Sequence, residues 1–270
     1  LVSTSTDNII IAAVMGAASV TIYVFTGKLA FLVAVFLVSI APSVLFPGFS
    51  QLFELKDKEK LQVLYLKLTD LSVRLGVFSG ISFLFINESF IKAWVGPENY
   101  GGAPLTICFV VWILFESFIR GITAIIYASG DLKGLTLVVW LEAIINITVT
   151  LLLINSLGLL GVVLGTVFSR TISVLYIPLR INNMLNVKHL DFMKRLVSNA
   201  ATCSIAMLSV GGILTYYVSH DYGPFFQILI FCSAMLIVNM IFHEGIFLYR
   251  LKGIKWSKRI IMLKESYLAY

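Results

Sequence analysis

The sequence predicts an all-α, polytopic transmembrane helix bundle, and three observations carry the prediction. Hydrophobic residues make up 59% of the 270 and charged residues only 13%, about half the charge that a surface facing water usually carries. The mean hydropathy is +0.96. Apolar runs long enough to cross a bilayer recur from the first residues to about Tyr249, and the links between them alternate between rich and poor in Lys and Arg.

A spanning helix needs about 20 mostly apolar residues to cross a core of roughly 30 Å. Cutting the runs at Gly, Pro and polar clusters gives eight helices. The first runs from the start to about Met15 and stops at the small-residue turn MGAAS. The second covers Ser19–Leu45, where Pro42 and Pro47 predict a bend or an exit. The third, Leu61–Phe85, follows the basic link FPGFSQLFELKDKEK. The fourth, Pro104–Tyr127, lies between INESFIKAWVGPENYGG and the turn YASGDLKG. The fifth, Gly134–Ile154, and the sixth, Gly158–Arg180, are parted by NSL. The seventh, Val197–Val218, and the eighth, Pro224–Tyr249, are parted by SHDYG. The chain thus divides into six helices over 1–196, a further pair over 197–249 and a basic tail over 250–270. GVFSG (Gly76, Gly80) and GVVLG (Gly161, Gly165) set small residues one turn apart, a pattern for close helix packing in lipid.

The basic residues fix a topology. One set of links carries Lys56, Lys58 and Lys60, then Lys133, then Arg180, Lys188, Lys194 and Arg195, and finally the tail RLKGIKWSKRIIMLK. The alternate links hold only Lys92. This is the positive-inside pattern, and it predicts that the start and the C-terminus both face the cytoplasm. The net charge of +6 is then a topology signal at an anionic leaflet, and no nucleic-acid partner is expected. The tail, with Trp256 among Ile and Leu, suits either an amphipathic segment on the membrane or a disordered basic extension.

Five bases (Lys28, Lys67, Arg74, Arg120, Arg170) and five acids (Asp7, Asp70, Glu116, Glu142, Glu244) fall inside predicted spans. A charge near mid-membrane costs at least about 2.5–3.5 kcal/mol, so such residues face a bundle interior or a cavity and commonly pair. Lys67 and Asp70 sit near a cytoplasmic end, where snorkelling suffices. Counting from the Ala17–Ala18 turn puts Asp7 and Lys28 both about 15 Å below the outer surface, which predicts an Asp7–Lys28 pair, either lining a cavity or locking two helices. Glu116 and Arg120 are four apart and share a helix face, in the better orientation for an ion pair. Glu142 and Asn146 repeat that spacing. Arg170 has no local partner and must find one across helices.

Other chemistries leave no mark. The sequence has no GxxxxGK[ST] loop and no HExxH, and Cys108, Cys203 and Cys232 lie in apolar runs without CxxC spacing. His189, His220 and His243 stand isolated at or near predicted span ends. No cofactor, metal or enzymatic activity is expected.

Several stretches together resemble a family. TSTDNIIIAAVMGAASVTIYVFTGKLA with the exit FPGFSQLF, and ASGDLKGLTLVVWLEAIINITVTLLLINSLGLLGVVLGTVFSR, resemble the helix-seven-onward half of bacterial polysaccharide-unit (O-antigen and capsule repeat) flippases of the multidrug/oligosaccharidyl-lipid/polysaccharide exporter superfamily. The likeness weakens after about residue 196. It implies a two-bundle transporter of the bacterial inner membrane, of which this chain is the C-terminal half, consistent with the missing initial Met. It further implies alternating access for a polyprenyl-diphosphate-linked oligosaccharide, with membrane lipids and polysaccharide polymerase or assembly proteins as partners. The expected cavity contacts are Lys28, Arg74, Arg120, Arg170 and Asn146, with Asp7, Asn8, Glu116 and Glu142 as ion-pair or proton-coupling groups. The family pattern itself supports Asp7, Asn8 and Asn146. A cation-coupled small-molecule exporter of the same superfamily is the alternative. A membrane-embedded glycan-modifying enzyme, with His220 and Asp221 at an outer mouth, is the third reading. From Leu1 to Gly16 a helix spans only about 24 Å, so the first helix is expected to begin upstream, with Ser3, Thr4, Asp7 and Asn8 as one polar stripe within the membrane.

Overall fold

The computed structural model describes residues 2–32, 40–218, 229–231, 233–234 and 237. Among them the chain is helical throughout, without strands: α1 Val2–Met15, α2 Ala17–Leu32, α3 Ile40–Glu54, α4 Lys58–Trp94, α5 Ala103–Ser129, α6 Leu132–Leu157, α7 Leu159–Leu185 and α8 His189–Val218. The last five are each long and apolar enough to cross a membrane. The protein is a multi-pass helical membrane protein.

Local chemistry sets the boundaries. Asp57 caps α4 by accepting a hydrogen bond from the Lys60 backbone N–H (3.1 Å), and Lys60 holds the Asp57 carboxyl below its usual range. Gly130 ends α5 in the left-handed region (φ 74°), a conformation that suits a residue without Cβ. Gly158 (φ 59°) alone separates α6 from α7, so the two fold back on each other as a tight hairpin.

The predicted second span is divided differently. Within Ser19–Leu45 the described residues belong to α2 and α3, with 33–39 outside the description, and α3 continues through Pro47 to Glu54. Pro47 removes one helix hydrogen bond. Phe49, fully buried, anchors the turn beyond it, with Leu45, Leu52 and Phe53 packed against the same core. The third span also outruns its prediction: at 37 residues α4 is about 55 Å long, and its C-terminal end carries an exposed Lys92–Glu88 ion pair (2.6 Å). Helix α8 begins at His189 and crosses position 196 without a break. The predicted eighth span Pro224–Tyr249 lies outside the described residues except 229–231, 233–234 and 237, where Phe231 stacks on Phe85 of α4 at 5.9 Å. The tail, Glu244, His220, Asp221, His243 and Cys232 also lie outside the described residues.

Two apolar cores are stacked along the bundle. One gathers Val73, Val77, Phe118, Ile122, Ile125, Leu135, Ile177 and Ile181, with Phe49 of α3 and Cys203 of α8. The other gathers Ile11, Tyr23, Phe109, Trp112, Ile113, Ile154 and Val162. On α5, α6 and α7 alike, Glu116, Glu142 with Asn146, and Thr166 with Arg170 fall between the residues of the two cores. The polar groups therefore form a layer between two greasy ones.

Helix α8 is fastened to α4 by charge. Asp70, 6% exposed, accepts from Arg195 at Nε (3.1 Å) and at a terminal nitrogen (2.5 Å) and from Asn199 Nδ2 (2.5 Å). The reading of Asp70 as a snorkelling neighbour of Lys67 is corrected here: Lys67 is exposed, whereas Asp70 turns inward to a base 125 positions away in sequence. Removing one partner of a buried charge pair costs about 3–5 kcal/mol, and Arg195 is about one-third exposed, which lowers that figure. Arg195→Ala is expected to destabilise the detergent-purified protein by about 2 kcal/mol, read as an earlier thermal transition. Arg195→Ala with Asp70→Asn recovers most of it. A double variant no better than the single would refute the pairing.

Candidate functional site

The polar layer holds two centres one helical turn apart. The first is built on Asp7 of α1, 1% exposed. Its Oδ2 accepts from Thr166 Oγ1 of α7 (3.0 Å) and from the Tyr23 hydroxyl of α2 (3.4 Å). Its Oδ1 accepts from Asn146 Nδ2 of α6 (3.3 Å), and Thr150 Oγ1 donates in turn to Asn146 Oδ1 (3.0 Å). Four helices thus converge on one carboxyl through neutral donors.

The expected Asp7–Lys28 pair does not form. Lys28 is exposed, and among the described residues no ion pair includes it or Asp7. Level along the axis was estimated from the turn, but direction around the axis decides contact. Five residues after Tyr23, Lys28 lies about 140° round α2, away from the buried face of Tyr23, Thr26, Gly27 and Ala30. Asn8 is half-buried, its Oδ1 enclosed without a hydrogen-bond partner. The side chains of Ser3 and Thr4 lie outside the described residues.

The second centre is a four-charge cluster. Arg120 Nε donates to Glu116 Oε1 (2.5 Å), as their shared helix face predicts. Arg170 of α7 finds the partners it lacks locally: one terminal nitrogen binds Glu116 Oε2, the other Glu142 Oε2 of α6 at 3.0 Å. The acids are enclosed, at 4% and 9% exposure. The planar guanidinium of Arg170, with donors in a fixed fork, suits bridging two carboxylates. Glu142 and Asn146, four apart on α6, serve different centres.

Glu116, Arg120 and Arg170 of this cluster line one wall of a cavity of about 490 Å³. Glu116, Arg120, Thr123 and Tyr127 descend α5, Arg170, Ser173 and Ile177 descend α7, Leu135 and Val139 come from α6, and Ser43 and Phe46 from α3. These rows run toward the Gly130 and Asn186 turns, the side of the basic links. There Arg180 binds Asp131 through Nε (2.8 Å), tying α7 to the α5–α6 turn.

Of the expected cavity contacts, the structure therefore brings Arg120 and Arg170 to the cavity and gives Asn146 to the Asp7 centre. It leaves Lys28 on an exposed face. Arg74 is half-buried in α4, its Nε enclosed without a partner, and it is not among the cavity-lining residues. Sequence reasoning missed Tyr23, Thr150 and Thr166. Thr150 was within reach, four residues beyond Asn146 on one face, whereas Tyr23 and Thr166 needed the fold.

No curated protein and no solved structure matches the chain significantly. The match found lies at the start: residues 1–100, from α1 to the link after α4, fit the family model described as a polysaccharide biosynthesis protein. Over those hundred residues, which include Asp7 and the stretch TSTDNIIIAAVMGAASVTIYVFTGKLA, the chain carries the pattern of the polysaccharide biosynthesis family, in line with its resemblance to polysaccharide-unit flippases.

Proposed function

We propose that the protein is a flippase that moves a polyprenyl-diphosphate-linked oligosaccharide across the cytoplasmic membrane by alternating access, for surface polysaccharide or O-antigen assembly. The observation that carries this reading is the cavity of about 490 Å³ that opens beside Arg120 and Arg170 within the polar layer. Its two guanidinium groups suit an anionic head group, and the apolar walls on either side leave the lipid tail in the bilayer. Asp7, enclosed by Tyr23, Asn146 and Thr166, is the candidate for ion coupling, and polymerase or assembly proteins are the candidate partners. The chemistry required is binding and release, with no bond made or broken.

The test is complementation. The full-length protein, expressed in a flippase-deficient strain matched to its repeat unit, is expected to restore surface glycan, and its Arg120→Gln variant to restore at least tenfold less, as loss of a charged contact would give. Failure to restore glycan across several repeat-unit types would sink the reading. The specific observation that favours a cation-coupled small-molecule exporter is Asp7, a buried acid whose donors are neutral. Efflux of cationic dyes by the same strain, without glycan, is the result that would select it.

A further inference from the structure

We infer that Glu116 is a built-in counter-anion that competes with the substrate's anionic group for Arg120. This rests on the lipid-diphosphate reading above and assigns different jobs to the two arginines of the cavity.

The two bases are held unequally. Arg170 is gripped by carboxylates from two other helices, Glu116 of α5 and Glu142 of α6, and its side chain is 23% exposed. Arg120 is held by one carboxylate, from its own helix, through Nε (2.5 Å), and its side chain is 37% exposed against 5% for Glu116. The contact runs through Nε, and among the described residues no ion pair is formed by the terminal nitrogens of Arg120, a cavity-lining side chain. Glu116 splits its oxygens, Oε1 to Arg120 and Oε2 to Arg170. If Arg120 swings away, Glu116 keeps its contact with Arg170, so neither enclosed carboxylate loses its last cation, and the one negative charge left in excess draws Arg120 back. If Arg170 left, Glu142 would lose its one ion-pair partner and Glu116 would depend on Arg120 alone. Arg120 is therefore the exchangeable base and Arg170 the fixed one, a positioning residue that keeps Glu116 in place.

The charge count gives the exchange a purpose. Two arginines and two glutamates are neutral as a set: Glu142, behind the cavity lining, offsets Arg170, and Glu116, in the lining, offsets Arg120, so little positive charge is left unpaired for a diphosphate. An anion that draws on Arg120 competes with Glu116 for the same guanidinium charge, and Glu116 is positioned to take it back. A transporter must release what it binds, and a resident competitor weakens binding without removing the contact that recognises the anion.

The prediction has an unusual sign. The full-length protein in lipid nanodiscs is titrated with radiolabelled farnesyl diphosphate, with farnesol as the uncharged control. Glu116→Gln is expected to bind farnesyl diphosphate about fivefold more tightly than wild type, the upper end for release of a partly exposed ion pair, with farnesol unchanged. Glu116→Asp, too short to reach both arginines, shifts affinity the same way and serves if the amide variant fails to insert. Adding Arg120→Gln to Glu116→Gln abolishes the gain. Unchanged or weaker farnesyl diphosphate binding in both Glu116 variants overturns the inference, as does a gain that survives loss of Arg120. Wild type that does not distinguish farnesyl diphosphate from farnesol overturns the diphosphate reading itself, and the inference with it.

Discussion

Arg170→Ala is expected to be among the most damaging single changes in the bundle. It strands Glu142 and leaves Glu116 to Arg120 alone, both acids enclosed at 9% and 4% exposure, and removing one member of a buried charge cluster costs about 3–5 kcal/mol. The thermal transition of the purified protein in detergent reads the effect. Arg170→Lys recovers part of it, because a point charge cannot reproduce the planar fork that reaches both acids. The informative variant replaces the set: Arg170→Met with Glu116→Gln and Glu142→Gln. Neutralising the enclosed members of a buried cluster together is often nearly free of cost, and Arg120, which stays charged, is 37% exposed and can reach water, so the triple variant is expected to regain most of the stability while failing to restore glycan. A triple variant as unstable as Arg170→Ala would show that the loss came from packing at α7 rather than from stranded charge.

Gly161→Ala is expected to come next, at about 3 kcal/mol, the upper range for forcing an extra methyl into a packed interior. A Cβ at position 161 would lie 2.6 Å from both the carbonyl carbon and the carbonyl oxygen of Leu153. These are backbone atoms of α6 and cannot rotate aside. Gly80 is the control, since a Cβ there first meets Val110 Cγ1 at 3.2 Å, a side-chain atom with some room to move, and Gly80→Ala is expected to cost under about 1 kcal/mol. Parallel melting curves decide it. Equal losses at the two sites would mean that the α6–α7 approach is no tighter than that of α4 and α5.

These two glycines show what could be read from the sequence. GVVLG and GVFSG look alike as strings, and both mark close packing, as the spacing promised. Which one meets backbone and which one meets a side chain depends on the neighbouring helix, and that is a property of the fold. The same division runs through the polar layer. The Glu116–Arg120 pair was legible because four residues on one helix fix both height and direction. The bridge from Arg170 to Glu142 was legible only as a need, since its partner lies 28 positions away on another helix. Lys28 was misplaced because hydropathy and counting give depth but not which way a side chain points. Pro47 predicts a bend or an exit, and α3 runs through it to Glu54, with Phe49 beyond it fully buried in the core.

The Gly158 hairpin has a mechanical consequence. Glu142 and Asn146 are four residues apart on α6, and Arg170 and Thr166 are four apart on α7, so each helix offers one residue to each centre across a rise of about 6 Å. With backbone seated against backbone at Gly161, α6 and α7 tilt together as one lever. A tilt that loosens the grip on Asp7 therefore also moves Glu142 and Arg170, and through Arg170 the carboxylate that holds Arg120. The Asp7 centre and the charge cluster are coupled to each other by a single turn of helix, with the joint at the Gly158 turn.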